Sequence, residues 1–214
     1  RKIVRAHAAM QAEELLSDTI TMAIMTRQKG LINADLWGKT LGVIGVGRVG
    51  SSVSRKVIAA FKMRVLGYDP YVDAQTLAGY GVQKTGSLEE MLPQCDFVAV
   101  HCSGGAETRH LINARTLALM KPGAYLINTA RGTIVDETAL IEALQKKRIA
   151  GAAIDVYDPE PPRPGNPLLH RDDVIVTPHF CAMTEESLYN MATMVAQGVL
   201  DVLEGREPQY PVVI

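Results

Sequence analysis

The stretch LGVIGVGRVG, residues 41–50, joins a short apolar run to three glycines and decides the fold. The run LGVI is typical of a strand buried on both faces of a sheet. The six residues that follow match the pattern G-x-G-x-x-G, and a helical pattern comes directly after them. In such a turn Gly45 allows the tight bend, Gly47 lets the backbone approach a pyrophosphate, and Gly50 permits close packing of helix on strand. The stretch therefore predicts a strand, a nucleotide-binding turn and a helix.

Further apolar runs predict five more strands after this one. They are MRVLGY (63–68), DFVAVH (96–101), AYLIN (124–128), AGAAIDV (150–156) and DVIVT (173–177). Helical patterns lie between them at residues 49–60, 87–92, 113–120 and 136–147. Strands that alternate with helices indicate an α/β fold, and we predict a Rossmann-type, doubly wound parallel sheet.

Two amphipathic segments lie outside this alternation. Residues 8–28 are predicted to form a single helix, and residues 184–204 another. We therefore expect three parts in the chain: an N-terminal linker helix within residues 1–37, a nucleotide-binding domain over 38–183, and a C-terminal helix and tail over 184–214.

Composition excludes several classes of protein. The 214 residues are 47% hydrophobic, enough for a sizeable core, and carry 22 basic against 23 acidic side chains. A charge so close to zero argues against a nucleic-acid partner, and no apolar run approaches the roughly eighteen residues that a membrane span needs. Cys95, Cys102 and Cys181 are too few and too scattered for a disulfide framework or a paired metal site. We expect a cytoplasmic protein with a small-molecule partner and no bound metal.

Asp69 indicates which dinucleotide binds. It lies nineteen residues after Gly50, at the end of the second predicted strand. There a carboxylate accepts hydrogen bonds from the adenosine ribose diol and repels a 2'-phosphate, so the implied cofactor is NAD. The alternative is that Asp69 only starts a turn ahead of Pro70. Arg48, inside the glycine pattern, either contacts phosphate or is solvated.

Three ionisable residues follow three different predicted strands: Arg131, Glu160 and His179. The carboxyl ends of parallel strands share one edge of the sheet, so these side chains are predicted to converge. His179 would carry the proton of a carbonyl reduced by hydride, and Glu160 would orient its imidazole. Arg131 would offer a planar fork to the carboxylate of a 2-keto acid.

Each of these residues also has a structural interpretation. A histidine just past a buried strand is more often a hydrogen-bonded structural residue, Arg131 also fits a surface turn, and Glu160 sits among prolines where it would be solvated. His101 and His110 are alternative bases, although neither has a carboxylate at a neighbouring strand end.

Seven motifs, in order, resemble one known family. The motifs are LGVIGVGRVG, GYDPY, VHC, TRHLIN, GAYLINTARGTIVDE, GAAIDVYDPEPP and VTPH, and the resemblance extends over essentially everything from Gly38 to Pro208. Together they resemble the NAD-binding domain of the D-isomer-specific 2-hydroxyacid dehydrogenases. The resemblance implies the same three catalytic residues in the same roles.

The resemblance also implies contacts to the cofactor. The backbone of Arg48 and Val49 would meet the pyrophosphate, and Asp155 would hold the carboxamide. The nicotinamide half would be lined by residues of three loops, namely Cys102, Ser103, Thr108, Thr129, Ala130, Arg131 and His179.

The sequence departs from the family in three places. The family's separate substrate domain, about a hundred residues long, has no counterpart here. The segment before Gly38 is short, with Trp37 as its tryptophan, so a homodimer is only a possibility. Ser103 and Gly104 replace a usual proline and leucine, and a bulky group, Phe180, Cys181 and Met183, is expected beside the cleft.

Two other functions fit the same motifs. Parts of the sequence are similar to the C-terminal-binding-protein co-repressors, which would make the chain a non-catalytic NAD(H)-sensing scaffold. A truncated domain that retains only NAD binding is the other possibility.

Overall fold

A computed structural model of the chain describes residues 3–29 and 35–211. The chain divides into two units, Arg1–Val176 and Thr177–Ile214. The domain boundaries predicted near residues 37 and 183 are not decided by this division and stay predictions.

The first unit contains one sheet of seven parallel strands in the order β3-β2-β1-β4-β5-β6-β7. The strands are β1 Thr40–Ile44, β2 Arg64–Tyr68, β3 Val82–Lys84, β4 Phe97–Val100, β5 Tyr125–Asn128, β6 Gly151–Ile154 and β7 Val174–Val176. All six predicted strands are confirmed. The sequence pattern does not predict β3, because this strand is three residues long, buries only Val82 and shows no alternation.

Eight α-helices lie within the described residues. They are α1 Ile3–Gln11, α2 Thr19–Gln28, α3 Arg48–Phe61, α4 Ala74–Gly79, α5 Leu88–Met91, α6 Ala114–Leu119, α7 Glu137–Gln145 and α8 Glu185–Leu203. The helices predicted after residue 40 are confirmed to within two residues at each end. The short α4 was missed, although Asp73 caps it by accepting from the Thr76 amide.

The single helix predicted over residues 8–28 is wrong. The chain forms α1 and α2 with a turn between them, in which Glu13 adopts a left-handed φ of 59°. Asp18 then starts a new helix by accepting hydrogen bonds from the amides of Ile20 and Thr21. The apolar spacing runs on through the break because Leu15, within the turn, is itself buried at 3% exposure. Periodicity alone does not distinguish a buried turn residue from a helical one.

The sheet is covered on both faces by apolar side chains. Neighbouring residues of β1 point to opposite faces: Val43 joins one core cluster and Ile44 the other, and both are essentially unexposed. This two-sided burial is why the strands are continuous apolar runs in the sequence.

Asp96 joins three elements at the amino-terminal edge of the sheet. Its carboxylate accepts from the Thr40 amide at 2.9 Å and from Lys121 Nζ at 2.9 Å, and its backbone oxygen accepts from the Tyr125 amide. Partial burial raises the pKa of Asp96, but the Thr40 amide and the Lys121 ammonium outweigh burial and hold the pKa below its usual value.

We expect Asp96→Asn to lower the free energy of unfolding at pH 7 by about 1 kcal/mol, since the partly exposed pair loses its charge. Because the folded pKa is depressed, this stabilisation is present above the unfolded pKa of about 3.9 and is lost as the pH falls through the folded value. Urea unfolding of both proteins at pH 7 and pH 3 measures it. Glu89→Gln, which breaks the more exposed pair with Arg115, is the control. An Asp96→Asn deficit of the same size at both pH values would contradict the expectation.

Candidate functional site

The loop after β1 touches the loop after β4 at Gly45. The Gly45 amide donates to Tyr68 O at 2.9 Å, and the residue has a left-handed φ of +87°. A Cβ there would stand 2.5 Å from both Cα and N of Cys102. Since β1 lies between β2 and β4, this contact lies where the strand order reverses, which is where ligands bind in open α/β sheets.

The other two glycines of the loop differ in the space around them: Gly50 is tightly packed and Gly47 is open. A Cβ on Gly50 would lie 2.2 Å from Gly45 O, so Gly50 permits the close packing of α3 on the turn. A Cβ on Gly47 would meet nothing within 4 Å. The side of the loop at Gly47, where α3 begins with the exposed Arg48 and Val49, is therefore open to a pyrophosphate, and the first amides of α3 suit an anion.

Asp69 is buried beside this loop. Its Oδ2 accepts from the Val46 amide at 2.9 Å, and its Oδ1 accepts from the Tyr71 amide at 2.9 Å. The hydrogen bond from the Tyr71 amide forms a turn across Pro70, as the alternative interpretation of Asp69 predicts. Each carboxylate oxygen can accept a second hydrogen bond, so a ribose diol can still be bound. Asp69 thus supports the glycine loop and fits the role predicted for it.

We expect Asp69→Ala to relax the preference for NADH over NADPH by about tenfold, which is about 1.4 kcal/mol, because the repulsion of a 2'-phosphate is lost. Asp69→Asn removes the same charge but retains an acceptor for the Val46 amide, so it separates charge from loop support. Fluorescence titration of each variant with both nucleotides measures the ratio of dissociation constants. A ratio equal to that of the unmodified chain in both variants would count against ribose recognition at Asp69.

The predicted nicotinamide side comprises loops after β4, β5 and β6. Thr108 Oγ1 donates to Ser103 O at 2.8 Å and so braces the loop after β4. Half-buried Cys102 has a pKa raised by burial. Asp155 is buried at the end of β6, and its amide donates to Asn128 O at 3.0 Å. The structure brings these loops to one edge of the sheet, while their contacts to a cofactor stay predictions.

The structure disfavours His101 as the proton carrier, whereas His110 stays an alternative. Within the described residues, His101 Nε2 is buried and has no hydrogen-bond partner, and burial lowers the pKa of this imidazole. A neutral, enclosed imidazole is a poor proton donor at neutral pH. His110 occupies a left-handed turn with φ 50°, and its amide donates to Thr133 O.

The loop that carries Arg131 is closed by Asn128, a residue outside the set predicted from the sequence. Asn128 is 1% exposed; its Nδ2 donates to Arg131 O at 2.9 Å, and its Oδ1 accepts from the Ala130 amide at 3.1 Å. Thr129 lies within the same closed turn. The available signal was a polar residue ending the otherwise apolar run AYLIN. The Arg131 side chain itself is exposed, and its Nη1 donates to Ala130 O at 2.6 Å.

The loops that carry Arg131 and Glu160 are in direct contact. A Cβ on Gly132 would stand 1.9 Å from Tyr157 O, so only glycine permits this approach. The Tyr157 amide in turn donates to Glu160 Oε2 at 3.2 Å. The structure therefore brings the loops of two predicted catalytic residues into contact through Gly132 and Tyr157, while an approach of the Arg131 and Glu160 side chains stays a prediction.

His179 belongs to the second unit. It follows β7 by three residues, is exposed, and has a left-handed φ of 53°. In the same unit the Met183 amide donates to Phe180 O at 2.8 Å, and Thr177 Oγ1 lies 3.8 Å from Cys181 Sγ. Convergence of His179 with Arg131 and Glu160 stays a prediction, as does the placing of Phe180, Cys181 and Met183 beside a cleft.

Two further properties concern metals and membranes. Across residues 3–29 and 35–211, no three His, Cys, Asp or Glu side chains are grouped so that they could hold a metal ion. Over the same residues, no helix has both the length and the apolar character needed to cross a bilayer.

The strand order, the glycine loop at the reversal point and the buried Asp69 together define a dinucleotide-binding domain of the Rossmann class. Residues 1–181 match the family described as D-isomer specific 2-hydroxyacid dehydrogenase, NAD binding domain. The chain belongs to this family, and NAD is its cofactor. The open side at Gly47, the amides of α3 and the Asp69 carboxylate fit that dinucleotide.

Several known proteins are similar to the chain. D-3-phosphoglycerate dehydrogenase of Methanocaldococcus jannaschii is 44% identical over 179 residues, which is 84% of this chain and 33% of that protein. Apo D-mandelate dehydrogenase of Rhodotorula graminis superposes with a TM-score of 0.84 at 27% identity, over 97% of this chain and 59% of that one. D-lactate dehydrogenase of Aquifex aeolicus, complexed with NAD and lactic acid, gives 0.79 at 32% identity, over 95% and 62%. The chain spans about a third of the length of the curated relatives that it matches.

Proposed function

We propose that this chain is the NAD-binding part of an oxidoreductase that transfers a hydride between nicotinamide and a small 2-hydroxy or 2-keto acid. The observation that carries the proposal is the contact of Gly132 with Tyr157, which joins the loops of Arg131 and Glu160 beside the dinucleotide site. A guanidinium and a carboxylate carried by these two loops suit hydride chemistry on a 2-keto acid, and turnover separates this function from that of a non-catalytic scaffold.

Each residue has a defined role in the proposed reaction. Bound NAD supplies the hydride acceptor. Arg131 holds the substrate carboxylate with its planar fork and places positive charge toward the carbonyl oxygen. His179 moves the proton to or from that oxygen, and Glu160 orients the imidazole and favours its charged form. The loops with Cys102, Ser103, Thr108 and Asp155 hold the nicotinamide half.

The proposed substrate is a short acid with a 2-hydroxyl group, as in the acids after which the similar dehydrogenases are named. We place the reaction in the cytoplasm, where the thiols of Cys95, Cys102 and Cys181 would stay reduced. Relatives are longer than this chain, so we infer that a second, substrate-binding domain accompanies it, and a homodimer is compatible with the family.

The test is oxidation of NADH, followed by absorbance, against a panel of 2-keto acids: pyruvate, glyoxylate, hydroxypyruvate, benzoylformate and 3-phosphohydroxypyruvate. The chain and the full reading frame that encodes it are both assayed, and NADH binding is titrated in parallel. Turnover of at least one acid by the full protein is expected. NADH binding without turnover of any acid would reject the enzyme and leave the NAD(H)-sensing scaffold or a domain that only binds NAD.

A further inference from the structure

The loop after β4 meets the Arg131 side chain at Gly104. A Cβ on Gly104 would stand 2.9 Å from Arg131 Cγ and 3.1 Å from Arg131 Cβ. These carbons are the first two of the side chain and lie next to the backbone. Arg131 therefore cannot accommodate a Cβ at residue 104 by moving its guanidinium group alone, and the whole side chain must turn.

The backbone conformation does not account for this glycine. The φ of Gly104 lies outside the left-handed region, so another residue would adopt it without strain. The adjacent Gly105 is fully extended, with φ 178° and ψ −178°, and a Cβ on it would meet nothing within 4 Å. Of these two neighbouring glycines, Gly104 is the one at which a Cβ would press on the Arg131 side chain.

Arg131 has little freedom to move as a whole. Buried Asn128 holds its carbonyl oxygen and the preceding amide, and the next residue, Gly132, is closed against Tyr157. With the backbone held on both sides, a displacement imposed at residue 104 falls on the side-chain torsions of Arg131. It would also disturb the bond from Arg131 Nη1 to Ala130 O.

We propose that Gly104 is a positioning residue that sets the direction of the Arg131 side chain, and that the absence of a side chain at residue 104 gives the Arg131 stem its place against the loop after β4. The importance of that direction for substrate rests on the function proposed above.

The test compares Gly104→Ala, Gly104→Leu and the matched control Gly105→Ala in the chain as it stands. Phenylglyoxal modifies arginine, and mass spectrometry of the peptides gives a rate at each site. We expect the rate at Arg131 to change by about threefold in Gly104→Ala, in keeping with the cost of an off-rotamer side chain, and by more in Gly104→Leu. Gly105→Ala should leave it unchanged. Arg55 and Arg64, which pair with Tyr80 and Gln83, are internal references.

The rate at which phenylglyoxal modifies Arg131 does not depend on whether the chain is catalytically active. An unchanged rate at Arg131 in folded Gly104→Ala, or an equal change in Gly105→Ala, would overturn the proposal. Thermal melting establishes whether each variant folds. If Gly104→Leu does not fold, the modification rate in Gly104→Ala alone tests the proposal. In the full protein we also expect Gly104→Ala to raise KM for the 2-keto acid more than it lowers kcat, with NADH affinity unchanged. An enzyme without turnover would reject the proposed function and leave the modification result intact.

Discussion

Gly45→Ala is expected to destabilise the dinucleotide-binding domain by about 3 kcal/mol or more, as the sum of overpacking and an unfavourable positive φ for a residue with a Cβ. The Cβ would stand 2.5 Å from backbone atoms of Cys102, at a φ of +87°. Backbone atoms cannot move aside as the end of a side chain can, so the loops after β1 and β4 would have to move apart. In a domain of this size the melting temperature should fall by roughly 10 °C.

Gly47→Ala is the matched control, since it makes the same chemical change two residues along the same loop. Nothing lies within 4 Å of its Cβ, and its φ of −74° suits any residue. We expect an unchanged melting temperature but an NADH affinity about tenfold weaker or worse, which is about 1.4 kcal/mol, because the methyl group occupies the open side where the pyrophosphate approaches. Thermal melting with fluorescence titration separates the two effects. Equal melting temperatures for the two variants would contradict the packing argument.

His179→Ala is expected to reduce kcat for a 2-keto acid in the full protein by about 10²-fold to 10⁴-fold, the usual contribution of a positioned acid or base. NADH affinity should change little, because the proton carrier acts on substrate. The measurement is NADH oxidation under saturating substrate, with titration of NADH to the same variant. His179 has an exposed side chain and a left-handed backbone, so alanine at this site also carries a small conformational cost.

His170→Ala is the control for histidine loss, since His170 is exposed at the end of the 3-10 helix Pro167–His170. It should retain full activity. A His101→Ala variant tests the alternative base, and we expect it to affect stability more than the pH dependence of kcat. If His179→Ala turns over as fast as the unmodified protein, His179 is not the proton carrier.

Much of the architecture was predictable because its physical signals are local. Strands buried on both faces need apolar side chains at every residue, so runs such as LGVIG and AYLIN identify themselves. The elements that were missed or wrong lack that signal. The edge strand β3 buries one residue, and the break between α1 and α2 preserves helical spacing because Leu15 fills a turn.

The residues of the candidate site also fall into those that the sequence predicts and those that it does not. Residues at strand ends, such as Asp69 and Arg131, were predictable because the shared edge of a parallel sheet follows from topology. The residues that hold them were not. The support that Asn128 gives to Arg131 and the approach of Gly132 to Tyr157 depend on contacts between loops that are distant in the sequence.

The sequence by itself determined the fold class, the glycine loop, the preference for NAD and the three candidate catalytic residues, because each follows from short-range pattern and strand order. Only the tertiary structure decided which glycine tolerates a side chain, how the Arg131 and Glu160 loops meet, and that Gly104 lies against Arg131. These are distances of two to three ångströms between separate loops. Close packing sets them, and close packing is a property of the folded chain that no pattern along the sequence encodes.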